Sequence, residues 1–184
     1  MKTGAILLVG GMGTRLLPLT LKTPKPMLQV AGVPFTEHQI RKAAGAGISE
    51  IVLATSYKSE LFEPYFGNGE KFGIKIKYAV EHSALGTGGG IRNAAKLLSN
   101  YDQIVIFNGD VLSGHNLKGQ IEFHQQSKAD VTLYLTQVLD ARPYGCVELQ
   151  GDNQVKSFLE KMENPISNQI NAGCYIFNQD VINQ

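Results

Sequence analysis

The chain has 184 residues, a length that suits one domain and lets about two-thirds of the unfolded surface be buried. Its 17 Lys and Arg nearly balance 16 Asp and Glu, leaving a net charge of +1. That balance excludes the broad basic field of a nucleic-acid or anionic-membrane binder, so any phosphate recognition has to come from a few placed cations.

Residues 4–9 form an apolar run that reads as a buried strand ending in a glycine-rich turn. The run is too short for the core of a secretory signal, and no stretch approaches membrane-spanning length. The cytoplasmic setting expected for the chain comes from its two cysteines. Residues 35–46 have helical spacing, with Phe35, Gln39, Ala43 and Ala46 along one stripe and Gly45 and Gly47 at the end. A strand at 51–54, a helix at 59–66 and an alternating strand at 74–80 follow. A helix at 91–98 opens on a knot of glycines, and a short apolar strand at 103–107 carries Asn108-Gly109-Asp110 at its carboxyl end. Alternating strands and helices predict an α/β fold whose mainly parallel sheet is covered on both faces. Ligands of such sheets bind beyond the carboxyl ends of the strands.

Past residue 128 the rhythm changes. Residues 130–138, 146–149, 154–160 and 172–177 read as strands, with Gly151-Asp152-Asn153 as a hairpin turn, so a mixed sheet is expected in the second half. Residues 179–184 read as the start of a helix, and the domain is expected to be cut short at its C-terminal side. Cys146 and Cys174 have no metal-type spacing and sit in apolar, strand-like surroundings, which predicts buried thiols and a reducing compartment. His38, His82, His115 and His124 show no ligand spacing and read as structural or surface residues.

The 20 glycines are clustered rather than spread: Gly10, Gly11 and Gly13 form one knot, and Gly86, Gly88, Gly89 and Gly90 another. Successive glycines let backbone N–H groups close around phosphate oxygens. Arg15 and Lys25 add two cations to the first loop, one able to grip phosphate with paired donors and the other a point charge. A P-loop is excluded because no Gly-Lys-Ser/Thr ends the loop. A dinucleotide fingerprint is excluded because Leu16 stands where its third glycine would be. A glycine-rich turn with two solvated cations remains open on these residues alone, as does a simple turn at Asp110.

The pattern Gly11-x-Gly13-Thr14-Arg15-Leu16-x-Pro18-x-Thr20, followed by Pro24-Lys25-Pro26-Met27, resembles the signature of the sugar-1-phosphate nucleotidylyltransferases (NDP-sugar pyrophosphorylases). Further landmarks occur in that family's order along the whole chain. Leu85-Gly86-Thr87-Gly88-Gly89 resembles the stretch that meets the nucleotide base, and Asn108-Gly109-Asp110 the motif whose aspartate holds Mg²⁺. Tyr144-Gly145-Cys146-Val147 resembles the loop over the sugar. Glu160-Lys161 resembles the pair contacting the sugar and its phosphate, and Asn171-Ala172-Gly173 another sugar contact. The phrases from Phe107 to Leu112 and from Ile170 to Tyr175 resemble the mannose-1-phosphate guanylyltransferase branch.

The resemblance implies a Rossmann-like three-layer nucleotidyltransferase fold, with a nucleotide-binding half at about 1–112 and a sugar-binding half at about 113–184. It implies transfer of a nucleotidyl group from an NTP to a sugar-1-phosphate with release of pyrophosphate, GTP and mannose-1-phosphate being the favoured pair and Mg²⁺ the cofactor. Nucleotide contacts would come from Gly10, Gly11, Gly13, Thr14, Arg15, Leu85, Gly86 and Gly88. Arg15 would stabilise the departing phosphates, Lys25 would bridge the α-phosphate and the attacking phosphate, and Asp110 would hold the metal. Gly145, Glu160, Lys161 and Asn171 would take the sugar phosphate. Family members usually complete the metal site with a second aspartate further along, which this sequence does not reach before Gln184, and they often assemble as homo-oligomers. Two alternatives stay open: a glucose-1-phosphate uridylyl- or thymidylyltransferase, and a non-catalytic sensor of nucleotide sugars on the same fold.

Overall fold

The computed structural model describes residues 1–81, 83 and 85–182. His82 lies outside the described residues. By compactness the chain forms two units, Met1–Thr132 with the chain from Tyr175 onward, and Leu133–Cys174. This spatial division is distinct from the functional halves expected from the motifs.

The first unit is built on parallel strands. β1 (Thr3–Leu8) is followed by a loop of three 3-10 turns and a small hairpin, β2 (Gln29–Val30) and β3 (Val33–Pro34). Helix α1 (Phe35–Gly45) leads to β4 (Glu50–Thr55), then to the short α2 (Glu63–Phe66) and β5 (Lys75–Val80). Helix α3 (Gly86–Ala95) precedes β6 (Gln103–Asn108), and α4 (Leu117–Ser127) precedes β7 (Val131–Gln137). β1 pairs in parallel with both β4 and β6, and β4 pairs with β5. The order is therefore β5-β4-β1-β6-β10, with β10 (Gln169–Asn178) also pairing β7.

The sequence dictates this arrangement through burial. Residues 4–7 of β1, 51–55 of β4 and 103–107 of β6 are buried without a break. Successive strand residues point to opposite faces, so unbroken burial means that both faces are covered, the environment of parallel strands. Ile6, Val52, Ala54, Ile104 and Ile106 pack with Ala94, Ala95 and Leu98 on the α3 side. Ala5, Leu7, Ile51, Leu53 and Val105 are the alternate, equally buried set.

Several elements differ from the sequence-based expectation. The β2–β3 hairpin is not among the predicted strands, and the helix expected at 59–66 is a 3-10 turn (Ser59–Leu61) followed by the short α2. The helix expected at 91–98 begins five residues earlier, at Gly86, so the second glycine knot is the first turns of α3 rather than a loop before it. Glycine's poor helix propensity hides that start. Helix α4 was not anticipated. Its stripe is only Leu117, Ile121 and His124, and its start is set by Asn116, whose side chain accepts a hydrogen bond from the Gly119 amide at 3.0 Å.

The second unit is antiparallel. β8 (Gly145–Leu149) pairs with β9 (Val155–Glu160) across the turn at Gly151–Asn153, and Cys146 on β8 lies opposite Ile170 on β10. Cys146, Ile170 and Ala141 form its small core, with Val138 and Leu159 packed against it. Both cysteines are buried thiols, as expected. The sheet is thus mixed and mainly parallel. Among the described residues, no helix is long and apolar enough to cross a membrane.

Candidate active site

The chain runs from β1 outward to β4 and β5, then returns to place β6 on the other side of β1. A reversal of this kind opens a crevice at the carboxyl ends of the two strands flanking it. A cavity of about 350 Å³ lies there, lined by Leu8 and the loop after β1, by Asn108 at the end of β6 with Gly109 and Asp110 beyond it, and by Thr87 in the first turn of α3. A second cavity of about 480 Å³, lined in part by Lys2, Thr3, Ser49 and Tyr101, contains none of the expected site residues.

The cradle begins with the register of the two strands. Leu8 stands opposite Asn108, and the Gly109 amide donates to the Leu8 carbonyl at 3.0 Å. A Cβ at position 109 would sit 2.2 Å from that oxygen, so only glycine allows the turn to pass so close to β1. The glycine-rich loop is tied down along its length. The Thr20 hydroxyl donates to the Gly13 carbonyl at 3.1 Å, and the buried Thr36 hydroxyl donates to the Pro26 carbonyl at 2.9 Å. Gly13 adopts φ 62°, a left-handed conformation, and a Cβ there would meet the Lys25 Cβ at 2.8 Å. Close approach at Gly13 is what lets Lys25 lie against the start of the loop.

Lys25 Nζ donates to Asp110 Oδ2 at 2.7 Å. The pair is part-exposed on the cavity wall, with 31% of the Lys25 and 44% of the Asp110 side chain accessible. Arg15, on the 3-10 turn Thr14–Leu16, lines the same cavity and has no carboxylate partner among the described residues. The cavity therefore gathers Gly11, Gly13, Arg15, Lys25 and Asp110 from stretches far apart in the chain. Pro26, Thr87, Asn108 and Gly109 join them on the lining without having been singled out as site residues. Of the other expected nucleotide contacts, Gly10 packs against Ser56, and Gly10, Thr14, Leu85, Gly86 and Gly88 lie off the lining. Gly86, with φ 69°, starts α3, whose first amides carry the positive end of the helix dipole.

In the second unit, Gly145 pairs with Glu160 across β8 and β9. The Glu160 carboxylate leans over this glycine, since a Cβ there would lie 3.0 Å from Oε1. The Lys161 amide donates to the Tyr144 carbonyl at 3.1 Å, and Lys161 itself takes a left-handed φ of 47°. One residue on from the Ile170–Cys146 pair, the antiparallel register puts Asn171 beside Gly145. Directly paired residues share a face, so Asn171 and Glu160 flank Gly145 on one side of the sheet. Asn171 Oδ1 accepts from the Gly173 amide at 3.1 Å.

A crevice at the reversal of a parallel sheet has a glycine loop, two cations and a carboxylate on its walls, and the architecture is that of an α/β protein. The chain belongs to the nucleotidyl transferase family, whose model matches residues 4–184. It is 52% identical to a mannose-1-phosphate guanylyltransferase of Mycobacterium tuberculosis over 180 residues, which is 98% of this chain and 50% of that protein. The chain thus spans about half the length of the curated relatives it matches. The structure of HddC from Yersinia pseudotuberculosis complexed with GMP-PN superposes with a TM-score of 0.81 at 28% identity, covering 99% of this chain and 79% of that one. A UDP-glucose pyrophosphorylase from Acinetobacter baumanii shares the fold, with a TM-score of 0.85 at 24% identity over 100% of this chain and 76% of that one.

Proposed function

We propose that the chain transfers a nucleotidyl group from an NTP to a sugar-1-phosphate, with GTP and mannose-1-phosphate as the pair. The observation that carries the reading is the convergence of Gly11, Gly13, Arg15, Lys25 and Asp110 on one cavity at the β1/β6 reversal. The choice of pair rests on the 52% identity to a protein named for that reaction. In the reaction, a phosphate oxygen of the sugar-1-phosphate attacks the α-phosphorus of the NTP. The bond from that phosphorus to the bridging oxygen of the β-phosphate breaks, and pyrophosphate leaves with the electron pair.

Two polyanions have to be brought together, so the work of the protein is positioning and charge neutralisation. In this reading Arg15 holds the departing phosphates, and Lys25 draws the α-phosphate and the attacking phosphate together. Loop amides around Gly11 and Gly13 hold phosphate oxygens. Gly145, Glu160, Lys161 and Asn171 are assigned to the sugar phosphate.

Asp110 suits Mg²⁺. Its carboxylate is part-exposed on the cavity wall, within reach of a ligand in the cavity. A single carboxylate is the donor set of a Mg²⁺ that completes its shell with substrate phosphates and water. When bound there, the ion neutralises phosphate charge. The buried thiols of Cys146 and Cys174 support a reducing compartment, and we place the reaction in the cytoplasm.

Pyrophosphate release, measured with Mg²⁺ over four NTPs and several sugar-1-phosphates, tests the reading. Release with GTP and mannose-1-phosphate, lost in Arg15→Ala, is the expected result. Release with another pair would overturn the choice of substrates and keep the reaction class. Nucleotide binding without release under any combination would favour a sensor of nucleotide sugars.

A further inference from the structure

Helix α1 grips the turn that carries Asp110. Gln39 is 1% exposed, and its Nε2 donates to the Asn108 carbonyl at 2.7 Å and to the Val111 carbonyl at 2.9 Å. These two carbonyls bracket Gly109 and Asp110. Both N–H bonds of the amide are thereby used, and Oε1 is buried with no hydrogen-bond partner among the described residues. A flipped amide would set Oε1 against two carbonyl oxygens, so the orientation is fixed by the turn. Three residues on, Lys42 Nζ donates to the Ser113 carbonyl at 2.5 Å and so holds the outgoing chain.

On its other side the turn is bounded by β1. The Gly109 amide is bonded to the Leu8 carbonyl, and there is no room between them for a Cβ. The turn is therefore held between Leu8 and Gln39, and Asp110 projects from the held segment toward Lys25. A buried acceptor left without a partner costs stability that an apolar side chain at the same place would not. The two donated bonds are what the amide supplies in return.

We infer that Gln39 is a positioning residue for Asp110: by holding the carbonyls on both sides of it, Gln39 fixes where the carboxylate stands on the cavity wall. The inference rests on the reading of Asp110 as the Mg²⁺-holding carboxylate.

The test compares Gln39→Leu, Gln39→Asn, Ile40→Val and Asp110→Asn. Gln39→Leu removes both donors, while Gln39→Asn keeps an amide too short to reach both carbonyls. Ile40→Val trims a fully buried neighbour on α1 and lowers stability without touching the turn. Amide exchange at Gly109 and Val111 reads the turn directly, and Mn²⁺ affinity, measured by electron paramagnetic resonance with a non-hydrolysable GTP analogue, reads the carboxylate. In Gln39→Leu, exchange at Val111, whose amide donates to the Asn108 carbonyl at 3.2 Å, rises about five-fold or more as the turn loses its hold, and Mn²⁺ binds about 10-fold more weakly, as when the partner orienting a metal ligand is lost. Gln39→Asn falls between, and Ile40→Val changes neither. If Gln39→Leu matches Ile40→Val in exchange and affinity, the inference is overturned. If Asp110→Asn leaves Mn²⁺ affinity intact, the metal reading of Asp110 falls, and the exchange arm alone decides whether Gln39 holds the turn.

Discussion

Lys25 and Asp110 form an ion pair at 2.7 Å although 85 residues separate them in the chain. One belongs to the loop after β1 and the other to the turn after β6, so the pair closes the cavity across the reversal of the sheet. Phosphate oxygens entering there would compete with Asp110 for the Lys25 ammonium.

Lys25→Met is expected to separate stability from activity. Exposed ion pairs contribute about 0–1 kcal/mol, so the melting temperature should move little. On the proposed role of Lys25 at the reacting phosphates, its loss should lower pyrophosphate release roughly 100-fold or more. Calorimetry and a coupled pyrophosphate assay on the same samples check this. A large loss of stability would mean that the pair is mainly structural.

Gly11 and Gly13 should differ in stability, though not in the direction of their effect on binding, when each is changed to alanine. A Cβ at Gly13 meets Lys25 at 2.8 Å on a left-handed backbone, and such strain costs about 1–3 kcal/mol. Gly13→Ala should therefore lower the melting temperature and weaken nucleotide binding together. A Cβ at Gly11, a residue of the cavity lining, meets nothing within 4 Å. Gly11→Ala should keep stability within about 0.5 kcal/mol, the usual range for substitutions away from packed features. It should still weaken GTP binding, measured by titration calorimetry. Unchanged affinity in Gly11→Ala would remove this loop from the nucleotide site.

His124 gives the fold a pH dependence. Asn178 Nδ2 donates to the Ala129 carbonyl at 3.1 Å, which turns Asn178 Oδ1 toward His124 Nε2, also at 3.1 Å. Nε2 thus carries the proton, and Nδ1 accepts from the Thr132 hydroxyl at 2.7 Å. Burial holds the imidazole below its ordinary range, against the opposing pull of Asn178 and Asp130. With the folded value below the unfolded one of 6.5, the unfolded chain binds the extra proton first. This contribution to stability is complete above about pH 6.5 and is lost as pH falls through the folded value. Melting curves from pH 7.5 to 5 should show the decline, and His124→Gln should flatten it. An unchanged slope in the variant would assign the effect to another group, of which His115, lowered by burial and by Lys42, is the first to examine.

The parallel core was legible because its strands are apolar runs bounded by turns, and Ile51 to Ala54 or Ile104 to Phe107 can pair only inside a covered sheet. At the cradle the residues alone left a plain turn with solvated cations open; the family resemblance singled out Gly13, Arg15, Lys25 and Asp110, and the fold brings these four to one cavity. Helix α3 was read short because its first turns are written in Gly86, Gly88, Gly89 and Gly90, residues that disfavour helices and are held there by context. Helix α4 was missed because Gln120, Glu122, Gln125 and Gln126 outweigh its narrow buried stripe. The hairpin of β2 and β3 turns at Ala31 and Gly32, both at positive φ, without the Asn-Gly or Asp-Gly pair that usually announces such a turn. The hold of Gln39 on Asn108 and Val111 spans about 70 positions and has no local signature.

Leu8 and Asn108 meet across β1 and β6 from opposite ends of a long stretch of chain. At translation rates of about 5–20 residues per second, the ribosome makes the second roughly 5–20 s after the first. Throughout that interval β1, an apolar strand destined for the middle of the sheet, lacks its β6 neighbour, and the glycine loop has been synthesised without the turn that completes it. The nascent protein therefore passes through a period of exposed strand edge, and the walls of its cavity come together only when the Asn108–Asp110 turn emerges.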